Sequence, residues 1–115
     1  MTVNIYDDIN KLEGTFRKTD EFKNLEQAVE DVTSDKEAAD LFRTFRDLQL
    51  KLQEKQMKGE EISGEEMEYA QKVAQLAQQN GKILEMLEAE MALSRIIDEV
   101  NKAMTRPVQS LYDKM

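Results

Sequence analysis

Residues 41–77 read LFRTFRDLQLKLQEKQMKGEEISGEEMEYAQKVAQLA, and this stretch decides the fold. With Ala38 ahead of it, its first half places Leu41, Phe45, Leu48 and Leu52 alternately three and four residues apart, and Phe42 widens the row. That spacing keeps an apolar stripe on one side of an α-helix, which turns about 100° per residue. The intervening Arg, Gln, Lys and Glu lose little rotamer freedom in a helix. The row stops at Gly59, a residue suited to the left-handed conformation that closes a helix. Four residues on, Ser63-Gly64-Glu65-Glu66 has the spacing of a capping box, in which Ser and Glu satisfy each other's free backbone amides. The spacing therefore predicts a helix over about 35–58, a turn at Gly59–Ser63 and a second helix running back along the first. Leu48 and Leu52 are expected to face Val73 and Leu76 or their neighbours.

Upstream, Ser34-Asp35-Lys36-Glu37 is another capping-box pattern and opens the 35–58 helix. Thr19 is placed to cap a shorter helix with Asp20 and Glu21 in its first turn and Phe22, Leu25, Val29 and Val32 inward. Asn4 is placed to cap the first helix, whose apolar face is Ile5, Ile9, Leu12 and Phe16.

Downstream of Ser63 the next strong stop is Thr105-Arg106-Pro107. The Asn80-Gly81 pair is read as continuous helix, because the stripe Val73, Ala77, Asn80, Leu84, Leu87, Met91 keeps its phase across it. Gly81 then costs about 1 kcal/mol relative to Ala. The resulting helix has about forty residues and a length of about 60 Å. Val108, Leu111 and Tyr112 are left to a last short turn or helix. From Met86 onward a second apolar row appears, Met86, Leu93, Ile97, Val100 and Met104, about a third of a turn from the first. One helix thus has two neighbours to satisfy: its first half pairs with the 35–58 helix, and its second half needs cover from the N-terminal helices, a second subunit, or both. A compact chain of this size spans roughly 35 Å, from a radius of gyration of about 13 Å. A helix of about 60 Å overruns it, so the second row is the candidate dimer or packing face. The expected fold is all-α: a long antiparallel helical hairpin with two short N-terminal helices, one domain over residues 1–115, assembled as a dimeric helical bundle.

Composition bounds the chemistry. The 115 residues are 35% charged and 40% hydrophobic, with one Pro, four Gly and a net charge of −8. That is too apolar for a disordered chain and typical of long helices. There is no Cys, so no thiolate nucleophile, disulfide or thiolate metal site is available. There is no His, which removes the commonest acid–base catalyst and metal ligand. Glu65, Glu66 and Glu68 suit the dipole at a helix start, and Ser94 has no His base. The reading is accordingly not an enzyme, with no catalytic, cofactor-binding or metal residues and no cofactor. The longest apolar run is Met91-Ala92-Leu93, and the N-terminus lacks the basic and apolar regions of a signal peptide. No membrane partner and a cytoplasmic location are expected.

The charges are uneven. Arg43, Arg46, Lys51, Lys55 and Lys58 make the 35–58 helix locally basic, opposite the acidic start of the next helix. The leading reading of that strip is a solvated hairpin face, followed by a surface for an acidic protein partner. The alternative function is an RNA-associated factor that contacts RNA through it. Net acidity repels phosphate and no surface aromatics interleave with the strip, Phe42 and Phe45 belonging to the apolar row, so nucleic acid is the weaker reading. The stronger one is a non-catalytic interaction or adaptor protein that pairs with its own copy and an unidentified protein partner.

The opening Ile5-Tyr6-Asp7, the helix around Phe22, the stretch LFRTFRDLQLKLQEKQMKGEEIS and the closing PVQSLYDKM together resemble the YlbF/YmcA family, most closely its YheA-like branch. The resemblance covers essentially the whole chain through helix layout and scattered positions. It implies an all-helical, usually dimeric protein with a long hairpin and a regulatory role. Relatives act in a complex that affects competence, biofilm formation, sporulation and RNase Y-dependent RNA processing. They also carry cysteines that hold an iron–sulfur cluster, and no cysteine stands here to receive that role.

Overall fold

The computed structural model describes residues 2–115, which form five helices and no strand. These are α1 (Ile5–Arg17), α2 (Asp20–Thr33), α3 (Lys36–Met57), α4 (Gly64–Gln79) and α5 (Gly81–Asp113). They belong to two compact units. One comprises Gln27–Leu87; the other comprises the segment up to Glu26 together with the segment from Glu88 onward.

The first unit contains the hairpin. α3 ends as Gly59 adopts φ 71°. The Glu60 amide then donates to the Lys55 carbonyl at 2.9 Å and the Gly59 amide to that of Gln56 at 3.2 Å, the paired bonds of a Schellman motif. Ser63 Oγ starts α4 by accepting from the Glu66 amide at 3.1 Å. Phe45, Leu48 and Leu52 of α3 face Ala70 and Ala74 of α4 across a groove. Val73 is buried, and of the expected positions and their neighbours it is Ala70 and Ala74 that face the seam, while Leu76 is 46% exposed. Ala70, Val73, Ala74 and Ala77 form the inward row, and Leu76 lies about 100° to one side of Ala77. Small side chains on that row let the two helices run side by side. The remaining buried residues of this unit come from α2 (Ala28, Val32), the start of α3 (Ala38, Ala39) and the start of α5 (Ile83, Met86).

Four boundaries or faces differ from the sequence reading. α3 is capped by Asp35, whose side chain accepts from the Ala38 amide at 3.2 Å. Ser34 is still engaged in α2, donating its amide to the Glu30 carbonyl at 2.9 Å, so the cap falls one residue later than predicted. In α2 the inward residue is Ala28, not Val29, which is 44% exposed. α5 runs through Pro107 to Asp113, where a stop was expected. Proline there removes one amide that would have bonded the Ala103 carbonyl, and residues 101–115 are all exposed, so solvent can satisfy that carbonyl.

The fourth difference is the largest. The helix is not continuous through Asn80-Gly81. Asn80 takes φ −81°, ψ 114°, its amide closes α4 on Ala77, and its side chain opens α5. Asn80 Oδ1 accepts from the amides of Lys82 and Ile83, both at 3.1 Å. Two amides at a helix start outweigh the one helical residue given up, and the break resets the phase. Ile83 becomes fully buried while Leu84, on the predicted stripe, is 40% exposed. Asn80→Ala should therefore destabilise the protein by about 1 kcal/mol, the usual cost of a lost N-cap, in urea unfolding. A continuous helix would respond with the opposite sign, because Ala is the better helix former.

Candidate functional site: an apolar groove on α1 and α5

In the unit formed by the chain up to Glu26 and from Glu88, α1 packs without a buried residue of its own. Asn4 begins α1 by accepting from the Tyr6 amide at 3.1 Å and the Asp7 amide at 3.4 Å. Thr19 sets the corner between α1 and α2. Its hydroxyl donates to the Phe16 carbonyl at 2.8 Å and accepts from the Phe22 amide at 3.2 Å. The rings of Phe16 and Phe22 meet across that corner, centroids 5.8 Å apart and tilted by 59°. Ile9, Leu12 and Phe16 stand opposite Ile96, Ile97 and Val100 of α5, around a groove of about 340 Å³. Glu13 stands in its lining and is ion-paired with Arg17 at 2.8 Å.

The predicted second row divides along its length. Met86 and Leu93 are buried within the chain, Val100 is half-buried, and Ile97 and Met104 are 45% and 63% exposed. The exposed stripe continues as Val108, Leu111 and Tyr112, all open to solvent. At 100° per residue, Ile97, Met104, Val108 and Leu111 fall within a quarter of a turn of one another, so they form one face. Val108, Leu111 and Tyr112, expected in a separate short turn or helix after Pro107, continue α5 instead, while the N-terminal helices, expected as one possible cover for this half of the helix, do contribute α1 to the groove. The signal for α1 was its four-three-four spacing, which shows an apolar side but not what it covers.

Elsewhere, charge is used to tie elements together. Lys55 of α3 pairs with Glu66 of α4, and Lys82 of α5 pairs with Asp35 at 3.1 Å. Lys55 is the main cause that holds the Glu66 carboxyl below its ordinary 4.5, with Ser63 adding to it. Asp35 lies below its ordinary value chiefly through the Ala38 amide, then through Lys82. A carboxyl lowered by folding lends stability above its unfolded pKa and loses it as pH falls through the folded value. Urea midpoints should therefore drop as pH is taken below about 4.5, and Glu66→Gln should flatten part of that drop. An unchanged acid profile in Glu66→Gln would show the ion pair adds nothing.

These pairings also bear on the basic strip of α3. Arg43 is paired with Asp40, Lys55 with Glu66 and Lys58 with Glu54. Three of its five cations thus each have a carboxylate partner. Among the described residues, no group of three or more Asp and Glu side chains is gathered as a metal site, and no helix is long and apolar enough to cross a membrane.

Residues 5–109 match the family described as "Control of competence regulator ComK, YlbF/YmcA". The chain belongs to the YlbF/YmcA family. Within it, a UPF0342 protein of Lysinibacillus sphaericus is 58% identical over 111 residues, 96% of each chain. The UPF0342 protein YheA of Bacillus subtilis is 45% identical over 112 residues, covering 97% of this chain and 96% of its own. The solved structure of a DUF964 protein from Bacillus stearothermophilus superposes with a TM-score of 0.85 at 38% identity, over 94% of this chain and 95% of that one. The all-helical fold and the YheA-like branch are thereby shown, and the family's description names a regulatory role rather than a reaction. The iron–sulfur cluster that the wider family implies does not fit this chain. Such clusters are held by Cys thiolates, with His as the replacement, and neither residue type is present.

Proposed function

We propose that this chain is a non-catalytic regulatory protein that works in the cytoplasm by binding other proteins, and that its basic form is a homodimer. The observation that carries this is the apolar face on α5, from Ile97 through Met104 and Val108 to Leu111, exposed beside a groove that α1 only partly covers. Helices of this kind draw their stability from packing an amphipathic face, and an uncovered apolar face of this length is characteristic of an interface. The family's link to control of a competence regulator supports a role exerted on other proteins. Size-exclusion chromatography with light scattering should return twice the chain mass of 13.3 kDa at tens of micromolar. A single chain mass at that concentration would overturn the homodimer.

A further inference from the structure

The closing segment of α5 and the groove beside α1 are complementary in two respects. Both are apolar: the segment presents Met104, Val108 and Leu111, and the groove presents Ile9, Leu12 and Val100. Their charges are opposite. α1 carries Asp7, Asp8 and Glu13 against Lys11 and Arg17, a net of −1 with both aspartates in its first turn; over residues 101–115, Lys102, Arg106 and Lys114 stand against Asp113, a net of +2 in a chain that is −8 overall. The helix dipole accounts for Asp7 and Asp8 at the start of α1 and for Lys114 at the end of α5, but its effect is confined to the terminal turns. It gives no reason for Lys102 and Arg106, which lie further inside. Lys102 has only an exposed 3.9 Å pairing with Glu99, and no ion pair to Asp7, Asp8 or Arg106 is formed among the described residues.

We propose that the closing segment of α5 from one copy seats over the α1 groove of a second copy, with Lys102 and Arg106 beside Asp7 and Asp8 of that copy. This rests on the homodimer reading. Segment and groove are carried by the same chain, so a two-fold arrangement satisfies both in each copy and closes without leaving either free. Covering the segment also supplies the packing that residues 101–113 lack in a single chain.

Charge reversal tests this on the full chain, since these side chains are exposed, and far-ultraviolet circular dichroism checks that each variant keeps its helices. Asp7→Lys with Asp8→Lys, and separately Lys102→Glu with Arg106→Glu, should each raise the dimer dissociation constant at least about tenfold at low ionic strength, measured by sedimentation equilibrium. Combining all four changes in one chain, or mixing the two reversed proteins, should bring the constant back to within about threefold of the parent. Reversal without effect, or loss without restoration, would overturn the seating while a dimeric parent leaves the homodimer reading intact. A monomeric parent would overturn both.

Discussion

Replacing Ile97 with Asp should turn the dimer into a folded monomer. In a single chain Ile97 is 45% exposed at the edge of the groove, beside the half-buried Ile96 and Val100. A carboxylate there keeps much of its water, and Ile and Asp have similar propensity inside a helix. The isolated chain therefore loses little. In an interface the same carboxylate is stripped of water with no cation placed to meet it, which costs several kcal/mol. The dissociation constant should rise on the order of a hundredfold, since about 1.4 kcal/mol is a factor of ten. Light scattering would then report one chain mass while far-ultraviolet circular dichroism keeps its helical signal. Leu93→Asp is the matched control. Leu93 is 7% exposed, so a charge there should unfold the chain rather than dissociate it. Should Ile97→Asp also unfold the chain, the row belongs to one chain's core and the interface lies elsewhere.

The different fates of Ile97 and Leu93 show where the sequence stops being informative. Both sit on one row by spacing, and periodicity alone gives them one role. What separates them is cover by other elements, which depends on tertiary packing. Local signals were more legible: Asn4, Thr19, Gly59 and Ser63 each end or begin a helix where spacing placed them, because a cap is decided within a few residues. The α3 seam was legible for the same reason, its period being sustained over four turns. Ser34 and Pro107 misled in opposite directions. Ser34 has the residue type of a cap but its amide still serves α2, and Pro107 has the residue type of a stop at a position where losing one exposed bond is tolerable. Asn80-Gly81 is the instructive case. Its stripe of apolar residues was compatible with both a continuous and a broken helix, because neighbouring residues 83 and 84 are both large and apolar. Only the three-dimensional setting decides which of the two turns inward.

That choice makes Ile83 the position where truncation to Ala has the largest expected effect on stability. Ile83 is 0% exposed and is the largest fully buried side chain of the described residues, in a unit whose other buried positions are mostly Ala and Val. Neighbours that small cannot reach into a vacated space, so the cavity left by truncation should stay open. Ile83→Ala should cost about 2–5 kcal/mol, a large share of the roughly 5–15 kcal/mol that holds a domain folded. The thermal midpoint should fall by roughly 10 to 20 °C. Leu84→Ala, one residue on and facing solvent, should cost under about 1 kcal/mol. The contrast tests the break itself. A helix continuous through Asn80 would bury Leu84 and expose Ile83, and the two costs would exchange. Measuring both in one urea series therefore decides the phase of α5 in a single comparison, and with it which face of that helix remains free for a second chain.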